Sequence, residues 1–199
     1  MRWDNLFDDL ESQLEHELTA GDIDVRAEEE RLRLARMSLR ERLVSIHEHS
    51  PDAAASTGIR VRLADGGVVT VRPLAFGRDW FSATLLDASS RHSQCILPLA
   101  AVAGLLLERE QVRTSLIASP DQGRSLSVRL GLAFALRDLC RRRTAVELRL
   151  LDETVRGTID RVGRDHLDLA VHEPGSPRRE VEVSHYRVVP FSQVLLVRL

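Results

Sequence analysis

The chain contains no lysine and few aromatic residues. All 28 of its cationic residues are arginine, and Phe, Trp and Tyr together make up 4% of its 199 residues. A guanidinium group is a planar fork that suits carboxylate or phosphate oxygens, so any cationic surface of this protein has that chemistry. The scarcity of aromatic rings disfavours a surface on which nucleic-acid bases would stack.

Cysteine is also scarce, and long apolar runs are missing. Cys95 and Cys140 are the two thiols, and no residues have the spacing of metal ligands, so we expect no metal and no cofactor. No stretch approaches the roughly 18 apolar residues that a membrane span needs, and acidic residues interrupt the apolar positions of the N-terminus. We therefore expect a cytoplasmic protein with no membrane partner.

Charge is unevenly distributed, although the net charge is only −2. Residues 1–30 contain eleven acidic residues and two arginines, a net charge of −9, whereas residues 31–199 carry +7. Residues 109–143 are strongly basic, with eight arginines against three acidic residues. This asymmetry predicts that the two ends of the chain have different binding preferences.

The acidic N-terminus predicts an amphipathic helix over residues 2–18. Five apolar residues follow one another at spacings of four, three, four and four, which places them on one face of a helix. They are Trp3, Phe7, Leu10, Leu14 and Leu18. We expect this face to pack within the protein or to dock into a groove of a protein partner. A second helix is expected over 25–47, before Pro51.

One sequence pattern occurs twice in the chain. Residues 76–83 read Phe-Gly-Arg-Asp-Trp-Phe-Ser-Ala, and residues 162–169 read Val-Gly-Arg-Asp-His-Leu-Asp-Leu. Each copy follows an alternating apolar run and precedes an apolar run that contains a proline, Pro98 or Pro190. A repeat of this kind indicates two copies of one structural unit.

Each copy predicts five short strands. In the first copy we expect strands at 59–63, 68–71, 80–86, 94–97 and 102–107. In the second we expect them at 146–150, 155–162, 166–172, 180–189 and 194–199. A helix over 125–143 would precede the second copy, although the alternation from Leu126 to Leu132 also fits a strand. Five strands close naturally into a small barrel.

The second copy resembles the Sm-like (LSm) domains, in which a helix precedes a bent barrel related to SH3-like folds. Gly157 lies in the second strand, where the Sm pattern places a glycine at its sharpest bend, and residues 189–194 are similar to the second Sm motif. This copy also resembles the C-terminal barrel of the RimP-type ribosome maturation factors. The first copy matches more weakly, since Val71 stands near the position of the glycine.

The resemblance implies an α+β protein with N-terminal helices and two tandem five-stranded Sm-like or SH3-like barrels, each preceded by a helix. The expected regions are an acidic helical region (1–50), a first barrel (57–107), a basic connector with a helix (108–143) and a second barrel (144–199). The apolar run from Val194 to Val197 is too continuous for a half-exposed strand, so we expect it to pair with a strand edge. We therefore expect the barrels to pair within the chain or in a homo-oligomer.

The RNA-reading residues of Sm proteins do not carry over to this chain. Their base-gripping asparagine would fall near 165–167, whereas the one asparagine of the sequence is Asn5. A weaker, sequence-independent contact with phosphates would use arginines of the connector. They are Arg124, Arg129, Arg137, Arg141, Arg142 and Arg143. The alternative interpretation is that these arginines complement a helix C-terminus and form salt bridges.

No constellation of residues predicts catalysis. His47 and His49 lack further convergent ligands, and neither a nucleophile elbow nor an oxyanion loop frames Ser184 and His185. We expect a non-catalytic binding or adaptor protein that engages a protein partner through its barrel edges and its N-terminal helix. The alternative is an Sm-like RNA-binding protein that uses the basic connector.

Overall fold

The computed structural model describes residues 25–49, 58–86, 93–118, 126–172 and 183–199. Residues 25–36 form helix α1, which belongs to a unit that ends at Ser38, and a second unit spans Leu39–Leu199. The predicted helix over 2–18, with its five apolar residues, lies outside the described residues.

Three further helices belong to the second unit. They are α2 (Leu39–His49), α3 (Arg109–Ser115) and α4 (Leu132–Arg142). The single helix predicted over 25–47 is wrong, because the helical hydrogen bonding is interrupted at residues 37 and 38. The helix predicted over 125–143 is confirmed only from Leu132 onward, since Leu126–Arg129 is a 3-10 turn.

Ten strands make up one antiparallel sheet in the part of the chain that the structure describes. The first half contains β1 (Ile59–Leu63), β2 (Val68–Phe76), β3 (Trp80–Leu85), β4 (Gln94–Pro98) and β5 (Val102–Leu106). The second half contains β6 (Ala145–Leu150), β7 (Thr154–Val162), β8 (His166–Val171), β9 (His185–Pro190) and β10 (Val194–Arg198).

The two halves repeat one another strand by strand. The sheet order is β5-β1-β2-β3-β4-β10-β6-β7-β8-β9, so each half has its last strand beside its first. Val71 pairs with Leu85 in the first half, as Gly157 pairs with Val171 in the second. The register of β2 on β3 shifts after Pro73, and that of β7 on β8 shifts after Ile159, the equivalent position. The duplication seen in the sequence therefore extends to the irregularities of the sheet.

Alternation of apolar and polar residues explains the strands. In β1, the side chains of Ile59, Val61 and Leu63 are buried, and the arginines between them are exposed. The turn that follows is closed by Gly66, whose φ of 83° is easily adopted without a Cβ atom. The backbone N–H of Gly67 also donates to the Asp65 carboxylate at 2.8 Å.

Helix α4 packs one apolar face on the second half. Leu132, Leu136 and Leu139 are buried at helical spacing, and each contributes roughly 2 kcal/mol by removal from water. The helix ends at Arg143, which has a left-handed backbone conformation with φ 53°. The N–H groups of Arg143 and Thr144 then donate to carbonyls of the last turn.

The two halves share their hydrophobic cores. Leu195 and Leu196 of β10 pack in the core of the first half, although β10 belongs to the second. Ile96 of β4 packs in the other direction, among the core residues of the second half. The junction of the halves is therefore continuous with both cores.

The described sheet is not closed, so the two barrels predicted from the sequence are not confirmed and stay a prediction. The coarser prediction holds: the protein combines helices with an antiparallel sheet, and a helix precedes each set of five strands. The apolar run at Val194–Val197 was expected to pair at an edge. Strand β10 has neighbours on both sides, β6 and β4.

Candidate functional site

The two halves of the sheet join where β4, the edge strand of the first half, pairs with β10 of the second half. Val197 of β10 lies opposite Ile96 of β4, and Arg198 lies opposite Cys95. The backbone N–H of Leu199 donates to the carbonyl of Gln94 at 2.9 Å. Ile96 is only 6% exposed, because it packs in the core of the second half, which includes Val197 of β10 and Leu139 of α4. The edge of the first half is therefore buried by the last strand of the second.

The turn between β2 and β3 holds the beginning of α4 at this junction. A carboxylate oxygen of Asp79 accepts a hydrogen bond from the N–H of Leu132 at 2.7 Å. The carbonyl of Leu130 accepts hydrogen bonds from the backbone N–H of Arg78 at 2.9 Å and from the indole N–H of Trp80 at 3.0 Å. Because Gly131 has no side chain to cap the helix, Asp79 supplies the acceptor that an N-cap residue would provide.

The equivalent turn of the second half is exposed. The N–H of Gly163 donates to the carbonyl of His166, as Gly77 does to Trp80. Asp165 occupies the position of Asp79, but its side chain is 84% exposed and is hydrogen-bonded to Nδ1 of His166 at 2.8 Å. That hydrogen bond holds the pKa of Asp165 below its ordinary value.

Two strands lie at the ends of the sheet as the structure describes it, β5 and β9. Strand β9 presents large apolar side chains to solvent, since Tyr186 is 58% and Val188 is 65% exposed. An edge strand carries unpaired backbone donors and acceptors and is a template for another strand. We refer to the exposed side of β9 as the β9 edge.

The other end of the sheet adjoins an open groove between α2, α3 and β5. It is lined by Leu39, Arg42, Leu105, Leu107 and Val112. Four of these five side chains are apolar, and Leu39 and Val112 are more than one third exposed. We refer to this feature as the β5 groove.

The arginines predicted to bind anions are largely engaged with neighbouring groups. Arg141 and Arg142 both form ion pairs with Asp138, and Arg143 pairs with Asp160 at 3.2 Å. Desolvation alone would raise the pKa of Asp138, but its hydrogen bonds with the two guanidinium groups lower it.

The remaining arginines of that prediction are dispersed. Arg137 donates to the carbonyl of Gly163 at 3.2 Å, and Arg129 is exposed in the 3-10 turn. Arg124 lies outside the described residues. The structure thus places four of the six arginines at the C-terminal part of α4, where they pair with acidic residues or with backbone.

Other polar groups named from the sequence have structural partners. The ring of His47 packs edge to face on Phe76, and Nδ1 of His49 contacts the carbonyl of Ser45 at 3.0 Å. Ser184 donates to the carbonyl of Val171 and lies 3.2 Å from Nδ1 of His185. Among the described residues, no group of three or more His, Cys, Asp or Glu could hold a metal ion.

Sequence reasoning missed two features of the site. The first is the role of Asp79 at the start of α4, for which the repeated Gly-Arg-Asp motif was the available signal. The second is the difference in exposure between Ile96, which is buried, and Val188, which is exposed. These two residues occupy equivalent positions, because Ile96 pairs with Ser82 and Val188 pairs with Asp168, the counterpart of Ser82. Only the strand pairing reveals this equivalence.

Comparisons with known proteins add no family. No family model matches the chain, and neither curated proteins nor solved structures give a significant match. Within the described ranges, no helix is both long and apolar enough to cross a membrane.

Proposed function

We propose that this chain is a non-catalytic binding protein, an adaptor that engages protein partners through the edges of its sheet and through its acidic N-terminal helix. In this proposal each five-stranded half is an Sm-like barrel, and the protein acts in the cytoplasm. The observation that carries the proposal is the exposure of Tyr186 and Val188 on β9, which pairs with β8 on one side and lies at one end of the described sheet.

The physical argument concerns the cost of leaving such a strand in water. Apolar side chains gain free energy when they leave water, and edge N–H and C=O groups are ready to pair with a partner strand. Strand addition of this kind obtains affinity from main-chain hydrogen bonds and specificity from alternate side chains. The β9 edge offers both features.

Affinity capture from an extract of the source organism tests the proposal. We expect Val188→Glu to lose proteins that bind the β9 edge, and Phe7→Glu combined with Leu14→Glu to lose those that bind the N-terminal helix. Val68→Glu is the matched control, since Val68 is 40% exposed on β2, a strand with neighbours on both sides. Identical protein lists for all variants would contradict the proposal.

RNA binding through the basic connector is the weaker alternative. Arg141 and Arg142 share one carboxylate, Asp138, which would compete with phosphate for both guanidinium groups. We therefore expect full-length protein to show no salt-sensitive retardation of mixed RNA. Strong retardation at low salt after deletion of residues 1–30, lost on changing both arginines to Gln, would favour the alternative.

A further inference from the structure

We infer that the outer face of the first half binds an acidic segment of a protein partner, whose carboxylates pair with Arg60 and Arg62 of β1. By outer face we mean the side of β1 and β2 that carries Arg60, Arg62 and Arg72. This surface is neither the β9 edge nor the N-terminal helix, so the inference goes beyond the proposed function. Its basis is a difference in charge pairing between equivalent strands of the two halves.

Strand β1 places two guanidinium groups next to one another on the outside of the sheet. Arg60 and Arg62 alternate with the buried side chains of Ile59, Val61 and Leu63, so both arginines are exposed on the same face. Residues two positions apart on a strand are separated by about 6.5 Å. Neither arginine forms a hydrogen bond or an ion pair with any residue that the structure describes.

The surroundings of these two arginines are cationic and open. The five strands of the first half contain no acidic residue. Arg72 shares the outer face, because it follows Thr70 by two positions and Thr70 lies opposite Arg60. Gly104 of β5 lies opposite Arg62, and no heavy atom lies within 4 Å of its Cβ position. Strand β5 therefore places no side chain beside the Arg62 guanidinium.

The second half neutralises the arginines of its strands. Each of the five forms an ion pair with an acidic residue. They are Arg149, Arg156, Arg161, Arg187 and Arg198. Arg60 and Arg62 differ from all five, so the exposed and unneutralised pair is a property of the first half.

The strand sequences show which positions are equivalent. Strand β1 reads Ile-Arg-Val-Arg-Leu, and residues 146–150 of β6 read Val-Glu-Leu-Arg-Leu. Both segments pair with the same part of the second strand of their half. Arg60 is therefore the counterpart of Glu147, and Arg62 is the counterpart of Arg149.

Glu147 places a carboxylate over the sheet between two guanidinium groups. It pairs with Arg156 of β7 at 2.6 Å and with Arg198 of β10 at 3.6 Å. In the first half, the group at this position is the guanidinium of Arg60, so the charge is reversed. Because no first-half strand supplies an acidic residue, a carboxylate for Arg60 has to come from outside these strands.

Arg149 shows how a guanidinium at the position of Arg62 receives such a carboxylate. Its Nε and Nη2 atoms lie 2.8 Å and 2.6 Å from one carboxylate oxygen of Asp65. Asp65 belongs to the turn after β1, outside the half to which Arg149 belongs. At this place in the repeat, the group that the arginine binds is thus a carboxylate from another part of the protein, which favours carboxylate over phosphate as the ligand of Arg62.

The spacing of the two arginines favours an extended acidic segment. Alternate side chains of an extended chain point to the same side and are also about 6.5 Å apart. A segment in which acidic residues alternate with neutral ones would place one carboxylate on Arg60 and the next on Arg62. Exposed ion pairs are individually weak and are screened by salt, so we expect a weak, salt-sensitive contact.

Fluorescence polarisation with the full-length protein and a labelled peptide that alternates Glu and Ser tests the inference. We expect binding that weakens as ionic strength rises, and weaker binding of a peptide with the same composition whose Glu and Ser residues occur in pairs. Arg60→Gln combined with Arg62→Gln should lower the affinity about tenfold, because two ion pairs are lost. Both positions are exposed, so far-UV circular dichroism should be unchanged. Absence of salt-sensitive binding by the alternating peptide would overturn the inference.

Arg156→Gln combined with Arg161→Gln is the matched control. It changes the net charge by the same amount, at exposed arginines that already have acidic partners. We expect this variant to bind the peptide like the wild type, and an equal loss of affinity in both double variants would mean that overall charge attracts the peptide. Mixed RNA that binds as tightly as the peptide, and that also depends on Arg60 and Arg62, would assign the face to phosphate and would contradict the inference.

The capture experiment separates failure of this inference from failure of the proposed function, because Val188→Glu leaves Arg60 and Arg62 in place. If the alternating peptide does not bind but Val188→Glu loses captured proteins that Val68→Glu retains, the inference is wrong and the adaptor proposal stands. If the peptide binds as expected but the β9 and N-terminal variants capture the same proteins as the wild type, the inference stands and the adaptor surfaces proposed above are wrong.

Discussion

The carboxylate of Asp79 accepts a hydrogen bond from the backbone N–H of Leu132 at 2.7 Å, although 53 positions separate the two residues in the chain. Asp79 belongs to the first half of the sheet, and Leu132 begins the helix that packs on the second. The first half therefore satisfies one of the N–H groups that the start of a helix leaves without an intrahelical acceptor.

Removal of this acceptor should destabilise the protein. We expect Asp79→Ala to lower the free energy of unfolding by about 1 kcal/mol, the usual cost of losing an N-cap side chain. Asp165→Ala is the matched control, since Asp165 holds the same place in the repeat but contacts no helix end in the described part of the chain. Urea denaturation measures both, and equal effects of the two variants would show that the contact with Leu132 is unimportant.

Gly157 should be irreplaceable for a steric reason. A Cβ atom at this position would lie 2.2 Å from the backbone carbonyl oxygen of Ala170, which cannot move without breaking the pairing of β7 with β8. We expect Gly157→Ala to cost about 2 kcal/mol or more of unfolding free energy. Gly104→Ala is the control, because nothing lies within 4 Å of its Cβ position. Thermal unfolding that is equally affected by both changes would contradict this account.

Arg143 ends α4 in a conformation that favours glycine. With φ at 53°, any Cβ atom at this position is crowded by the neighbouring backbone. We expect Arg143→Gly to be more stable than Arg143→Ala by about 1 kcal/mol, because the two variants differ only in that atom. Both lose the ion pair with Asp160, so the comparison isolates the backbone effect. Equal denaturation midpoints for the two variants would refute it.

An ion pair between the halves should make stability depend on pH. The Asp65 carboxylate, in the first half, contacts the guanidinium of Arg149, in the second, at 2.6 Å. Desolvation raises the pKa of Asp65, but the N–H of Gly67 and the Arg149 guanidinium outweigh it, so the pKa lies below its ordinary value of 3.8. The free energy that this ion pair contributes to folding is therefore fully present above the ordinary pKa of Asp65. It is lost as the pH falls through the lower pKa that Asp65 has in the folded protein.

The corresponding variant is Asp65→Asn. We expect it to be less stable than the wild type by about 1 kcal/mol at neutral pH, and the difference to vanish in acid as the wild-type carboxyl becomes protonated. Asp152→Asn is the control, because Asp152 is the equivalent turn residue of the second half and is exposed. A difference between Asp65→Asn and the wild type that persists below the acid transition would contradict the assignment.

The strands were largely predictable from local pattern. The alternation of Ile59, Val61 and Leu63 with arginines, and the turn glycine Gly66, are signals that act over a few residues. The helix boundaries were less predictable, since α1 and α2 appear in the sequence as one amphipathic run. Helix α3 was not predicted at all, because its seven residues carry no strong apolar period.

The amino-acid sequence alone determined that this protein is built from a repeated unit of short strands after a helix, because period-two alternation and turn chemistry are local properties. Only the tertiary structure decided which surfaces are occupied. Ile96 is buried and its counterpart Val188 is exposed because different elements pack beside them. Likewise, Asp79 accepts a hydrogen bond from the start of α4, whereas the side chain of Asp165 is exposed to solvent. Both differences depend on strands and helices that come from distant parts of the chain. Identical local patterns then have different surroundings, because burial is a property of neighbours and not of the residue itself.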